Sequence, residues 1–257
     1  MLGIISPLLS SVPGVSHRFF GRVGGTSPNP WLGLNTSFDV GDAPARVQEN
    51  LARTRFQLGV KKGALVCPKQ VHGKEVVVVD EGSDADVVAL AVADAIVTRA
   101  ADRAVGVRTA DCAPILIAAD DGSVVAAVHA GWRGAVGGVI EATLARLDVA
   151  PARLVAAVGP CIGREAFEVG PEVVAAARAV VDVEGLVSAG VGDRAHLDLA
   201  GLCRRLLVGA GVTRVDVVGG CTVAQPSLYF SHRRDHGMTG RQLSGIARTI
   251  PPDLDLG

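Results

Sequence analysis

Short apolar runs separated by polar or glycine-containing breaks dominate the middle of the chain. Six of them predict strands, at 64–67, 75–79, 94–98, 104–109, 114–119 and 124–129, rich in Val, Ile and Ala. Elsewhere the spacing lengthens to that of a helix. Val136, Ile140, Leu144 and Leu147 recur at helical intervals and predict a helix over about 134–147. Asp42 followed by Pro44 starts an earlier helix, with Val47, Leu51 and Leu58 on its apolar side and Gly59 ending it. Further helices are expected near 171–181 and 197–208, and further strands at 154–158, 214–218 and 228–231. The first forty residues are loops rich in Gly, Pro, Ser and Asn around short extended pieces, with 24–30 the clearest turn cluster.

Strands that come in clusters, with helices interspersed, do not follow strict βαβ alternation. The pattern predicts an α+β or mixed layered fold, with sheets packed together and helices outside. No repeat, heptad run or shift in composition marks a boundary, so one domain over 1–257 is the expectation.

Composition removes several classes of function. The chain has 257 residues, 25 Lys+Arg against 26 Asp+Glu, and a formal net charge of −1. That balance argues against a dedicated nucleic-acid binder, which carries a basic stripe or domain. Hydrophobic residues make up 49% and charged residues 20%, which excludes a disordered chain. No apolar run approaches the ~20 residues that span a bilayer. Residues 1–20 lack a basic segment and are interrupted by Pro7 and Pro13, unlike a signal peptide, so a cytoplasmic protein is expected. Five cysteines, Cys67, Cys112, Cys161, Cys203 and Cys221, with no C-x-x-C, argue for reduced thiols over a disulfide framework.

The chemistry concentrates between Arg108 and Gly134. Asp121-Gly122 lies between two apolar runs and signals a hairpin turn. With that turn Asp120 faces Ser123, Cys112 lies opposite Gly131, and His129 points to the same face two positions away. Such diagonal neighbours are roughly 7–8 Å apart at the backbone, whereas a change of one residue in the loop would separate the side chains. A sulfur and an imidazole converging there suit either zinc, with copper accepting the same donors, or a Cys112 nucleophile with His129 as its base. His72, in the polar break Lys69-Gln-Val-His-Gly73, is the candidate third group. Three protein ligands and one open position are the pattern of catalytic zinc.

Several stretches then carry a family resemblance. They are Lys69-Gln-Val-His-Gly73, Thr109-Ala-Asp-Cys-Ala-Pro-Ile-Leu116, Ala127-Val-His-Ala-Gly-Trp-Arg-Gly134, Gly159-Pro-Cys-Ile-Gly163 and Phe167-Glu-Val-Gly170. Together with Phe230-Ser-His-Arg-Arg-Asp235 and Thr239-Gly-Arg241 they resemble, in order, the motifs of the laccase-domain or polyphenol oxidase family. Its members are also called peptidoglycan-editing factors and are understood as purine nucleoside phosphorylases. The resemblance runs from about Phe19 to Arg241. It implies a single layered α/β/β/α sandwich domain with mixed sheets and zinc at His72, Cys112 and His129. It also implies phosphorolysis of adenosine, inosine and guanosine, cleavage of methylthioadenosine and some adenosine deamination. The partners expected are therefore purine nucleosides and inorganic phosphate, with neither nucleic acid nor membrane. Where the family often has a histidine, this chain carries Asp39.

A conventional multicopper oxidase is excluded on counts, since its sites need about ten histidines, typically in His-x-His pairs. This chain has six histidines, no His-x-His and two methionines. Weak copper-dependent oxidation by an exchanged metal stays open, as does a thiol hydrolase or peptidoglycan-precursor editing role, or a binding module without turnover. For phosphate, Arg22 before Val23-Gly-Gly-Thr-Ser27 and Arg133 at a helix start are the candidates. Asp111, next to Cys112, reads as a proton shuttle or a supporting, turn-capping carboxylate. Cys161 and Trp132 read more readily as packing than as pocket, and Arg233, Arg234 and Arg241 form a basic cluster that is either a solvated face or a contact for phosphate or ribose, a choice the sequence leaves open.

Overall fold

The computed structural model describes residues 3–60 and 64–249. Among them the chain opens with β1 (Gly3–Ile4), α1 (Pro7–Ser10), β2 (Val15–Phe20) and α2 (Pro44–Gln57). It continues through β3 (Leu65–Val66), β4 (Val76–Val79), α3 (Ala85–Leu90), β5 (Ala95–Thr98) and β6 (Arg103–Thr109). The hairpin β7 (Ala113–Ala119) and β8 (Val125–Ala130) leads into α4 (Trp132–Val136) and α5 (Val139–Leu147). Then come β9 (Leu154–Val158), β10 (Glu168–Val169), α6 (Pro171–Val180), β11 (Val187–Ala189) and β12 (Ala195–Leu197). The last elements are α7 (Leu199–Gly209), β13 (Arg214–Val217) and β14 (Gln242–Arg248).

Two mixed sheets form the centre, ordered β13-β9-β7-β8-β5-β4 and β1-β2-β14-β6-β3, beside a small sheet β10-β12-β11. Alternation along the strands explains why they stack. Ile115 and Ile117 of β7 point into one cluster with Ile140 of α5 and Leu202 of α7, whereas Leu116 and Ala118 point the other way. There they meet Phe19, Val105, Val107 and Ile246 of the second sheet. The outer face of that sheet, through Phe20, Ala104, Leu243 and Ala247, packs against Leu58 at the end of α2. Helix, sheet, sheet, helix is thus the α/β/β/α layering expected, and strands buried on both faces read as continuous apolar runs.

The hairpin register matches the one expected from Asp121-Gly122, with Ala113 paired to Ala130, Pro114 to His129 and Ala118 to Val125. Two expected elements differ. The helix over 134–147 is two helices, because Gly138 takes a left-handed φ of 91° and interrupts the ladder between α4 and α5. Residues 228–231 form no strand. Tyr229 and Phe230 are buried, but the Gln242 side chain replaces a partner strand, accepting from Phe230 N at 2.8 Å and donating to Phe230 O at 3.3 Å. The strand there is β14, between β2 and β6 at the middle of its sheet, where small and polar residues hid the alternation.

Candidate metal centre

His72, Cys112 and His129 come together at the mouth of the β7–β8 hairpin, their ligand atoms all within 4.8 Å of one another. Cys112 immediately precedes β7 and His129 lies in β8, so the register alone brings those two together. His72 arrives from the loop between β3 and β4 with a left-handed φ of 63°, and Asp111, next to Cys112, has φ 94°. Backbone held in that region costs of order 1–3 kcal/mol per residue and persists only where surrounding contacts impose it.

Those contacts converge on Asp94, a fully buried carboxylate that sequence reasoning did not single out. It stands one residue before β5, opposite His129 in the antiparallel register of β5 with β8. Its Oδ1 lies 2.7 Å from His129 Nδ1 and accepts from His72 N at 2.9 Å. Its Oδ2 accepts from Gly73 N at 2.7 Å and Val71 N at 3.2 Å. One carboxylate therefore orients one imidazole and clamps the loop that carries the other. The detectable signal was an acid heading an otherwise apolar strand, Asp94-Ala-Ile-Val-Thr98.

The Nδ1 contact with Asp94 leaves Nε2 as the His129 atom directed at the cluster. His72 Nε2 lies 3.6 Å from Cys112 Sγ, and the two imidazoles meet edge to face at 4.7 Å between centroids. Tetrahedral coordination with zinc bond lengths of ~2.3 Å to sulfur and ~2.05 Å to nitrogen places those donors about 3.6 Å apart. The donor set thus has the spacing and chemistry to hold a metal ion. Without one, burial raises the Cys112 thiol pKa, but His129 and His72 outweigh it and bring the pKa down. His129 shifts upward, because the Cys112 sulfur and Asp94 overcome the burial that would lower it. The sulfur and the imidazole thus each favour the other's charged form.

Beside the cluster lies a cavity of about 650 Å³. His72, Cys112, His129 and Asp111 line it, with Asp39 on its wall. Both Asp111 oxygens are engaged, Oδ1 by Thr222 Oγ1 and Oδ2 by Arg233 N, each at 2.6 Å. Asp111 therefore staples the segments around 222 and 233 to the site. Arg233 and Arg241 of the basic cluster reach the cavity, whereas Arg234 turns to Asp235 at 2.7 Å. Arg22 and Arg133 are not among the lining residues. Arg22 donates to the carbonyls of Leu32 and Pro226 and lies over the Phe230 ring at 4.7 Å. Arg133 is exposed and stacks on Trp132 at 4.4 Å. Cys161 is buried in the helix-side core and Trp132 packs against that core. Lys69, Arg108 and His232 were missed as lining residues, because their positions depend on packing across distant segments.

A layered α/β/β/α fold that opens a three-donor His–Cys–His group onto a cationic cavity defines a candidate metalloenzyme. The family described as multi-copper polyphenol oxidoreductase laccase matches residues 16–249, and the chain belongs to that family. A purine nucleoside phosphorylase of Deinococcus radiodurans is 40% identical over 241 residues, covering 90% of this chain and 88% of that protein. A protein of an unknown prokaryotic organism named adenosine deaminase RL5 is 37% identical, covering 86% and 88%. The crystal structure of protein NMB0706 of Neisseria meningitidis superposes with a TM-score of 0.84 at 35% identity, covering 93% of this chain and 97% of that one. No helix among the described residues is long and apolar enough to cross a membrane.

Proposed function

We propose that the protein is a zinc-dependent purine nucleoside phosphorylase, acting on adenosine, inosine, guanosine and methylthioadenosine, with adenosine deaminase as a side activity. The observation that carries this reading is the His72–Cys112–His129 group, at zinc-ligand spacing, opening onto a cavity with cationic walls. The names of the relatives from Deinococcus radiodurans and the unknown prokaryote supply the two reactions. Zinc would be held there by His72, Cys112 and His129 and would supply Lewis acidity to the cavity.

The chain's own residues do the rest. Asp94 keeps His129 Nδ1 occupied and Nε2 directed at the cluster, and holds the His72 loop in its left-handed turn. A cavity of about 650 Å³ has room for a nucleoside and an anion together. Phe167 gives its wall an apolar face against which a purine can pack. In phosphorolysis an oxygen of hydrogen phosphate bonds to ribose C1′ while the C1′–N9 bond breaks. The electron pair leaves with the purine, and the phosphate hydrogen ends on the purine nitrogen.

The Cys112–His129 pair taken alone also fits a thiol nucleophile and its base. His72 Nε2, 3.6 Å from the sulfur, favours the metal reading. Incubating metal-quantified protein with adenosine, with and without phosphate, separates the outcomes. Adenine with ribose-1-phosphate reports phosphorolysis, and inosine reports deamination. Full activity in protein stripped of zinc, together with stoichiometric inactivation by a thiol alkylator that chelators do not affect, would overturn the metal reading.

A further inference from the structure

Among the described residues, two of the cations on the cavity wall, Arg108 and Arg241, have no carboxylate within ion-pair distance. Arg108 ends β6 and is half-buried; its Nε donates to Thr36 O at 2.8 Å. Arg241, one residue before β14 and also half-buried, donates through Nη1 to Gly240 O at 2.9 Å and Thr239 O at 3.1 Å. These partners are all neutral carbonyls, and among the described residues neither guanidinium forms an ion pair. Lys69 adds a further cation to the wall. Asp111 is engaged by Thr222 and Arg233, Arg233 itself lies over Phe167 and reaches the Glu168 carbonyl, and Asp39 is exposed at the edge.

The fold places the two arginines together. Arg108 pairs with Leu243 in the antiparallel register of β6 with β14, so Arg241 is its diagonal neighbour on the same face, with backbones roughly 7–8 Å apart. Thr36 ties both to one point, accepting from Arg108 through its carbonyl while its N–H donates to Arg241 O at 3.0 Å. Burial is the largest influence on Arg241 and lowers its pKa, against the opposing pull of Cys112, Asp111 and Asp39. Guanidinium nonetheless stays charged in proteins. Two half-buried forks without a carboxylate form a site that a tetrahedral oxyanion would complete, because paired N–H donors match its oxygens.

We propose that Arg108 and Arg241 form an inorganic-phosphate subsite of the cavity, beside the His72–Cys112–His129 cluster. This rests on the phosphorolysis reading and moves the phosphate contacts away from Arg22 and Arg133. The two guanidiniums hold the non-attacking oxygens of phosphate and leave one oxygen free for ribose C1′.

The test uses zinc-loaded protein with inosine as the varied nucleoside. Loss of one charge-assisted contact in Arg241→Gln or Arg108→Gln is expected to raise the phosphate KM about 10- to 100-fold. The inosine KM should stay within about threefold, and the Lys variants should recover part of the loss by restoring charge without the fork. Melting in phosphate-free buffer checks folding, and Arg108→Gln stands in if Arg241→Gln fails to fold. Titration calorimetry with inorganic phosphate alone provides a second readout, with AMP as a parallel arm. Phosphate binding by wild type that is lost in both Gln variants supports the subsite even if no phosphorolysis is found, in which case only the functional reading fails. Normal phosphate binding by the variants, an inosine KM that rises as much as the phosphate KM, or wild type that binds AMP but not inorganic phosphate would each overturn it.

Discussion

His17 and His129 are equally buried, at 5% and 4% exposure, yet the protein shifts them in opposite directions. His17 lies in β2 away from the cavity, and its Nε2 accepts the backbone N–H of Ser6 at 2.8 Å. Burial is the largest influence there; Arg18 adds to it and Asp216 only partly opposes it, so the pKa falls to about 4. At His129 burial pulls the same way, but the Cys112 sulfur and Asp94 reverse it. Burial alone keeps a histidine neutral and structural. A buried anion placed against it makes a site.

The most direct way to break the contrast is to remove the sulfur. Cys112→Ser should cost one of the ligands that together contribute ~10–16 kcal/mol in structural zinc sites, roughly 3–4 kcal/mol, or hundreds- to thousandfold in metal affinity. Competition with a chromophoric chelator measures it, and unchanged affinity would mean that Cys112 is no ligand.

His17 sharpens the other side through pH. Its pKa is lowered in the folded state, so its contribution is complete above the unfolded value of 6.5 and is lost as pH falls towards about 4. The shift corresponds to about 3 kcal/mol at most. Urea unfolding at pH 7 and pH 4 should show wild type losing that much more stability than His17→Gln, whose side-chain oxygen still accepts from Ser6 N. Equal losses in both proteins would remove His17 as the cause.

Asp94→Asn should come next, lowering metal affinity about 10- to 100-fold, as loss of a group supporting a ligand does. An altered visible spectrum of the cobalt-substituted protein would show that the ligands have been re-aimed, an effect that mere loosening of the fold would not produce. The smallest effect is expected at Gly131. A Cβ there would lie 2.8 Å from His72 Cδ2 and 3.0 Å from Cys112 Sγ, while its φ of −68° suits any residue. Gly131→Ala should weaken metal binding by about 1 kcal/mol and leave the melting temperature of metal-free protein unchanged. A lowered melting temperature without a change in affinity would place the strain elsewhere.

Much of this site could be read along the chain because its geometry is local. Asp121-Gly122 sets the hairpin register, and the register places Cys112 near His129. His72 was legible as a histidine in a polar break between strands. Asp94 was not, since its role depends on β5 pairing with β8 and on the β3–β4 loop folding over both. The phosphate candidates show the same limit. Arg22 and Arg133 sit in local contexts that favour anions, but carbonyls and aromatic rings occupy their guanidiniums. Arg241 stood out only as part of a basic cluster and Arg108 carried no local signal; the register of β6 with β14 makes them diagonal neighbours. The strand expected at 228–231 failed for a related reason, because the Gln242 side chain supplies the hydrogen bonds a neighbouring strand would give.

Sequence alone determined the layered class of the fold, the hairpin and its face, and the three ligand candidates, because periodicity and turn chemistry act over a few residues. Tertiary structure decided which carboxylate aims the imidazoles, where the helix over 134–147 breaks, and which cations face the cavity without a close carboxylate. Those outcomes depend on desolvation and on partners many residues away, and neither exists until the layers have packed.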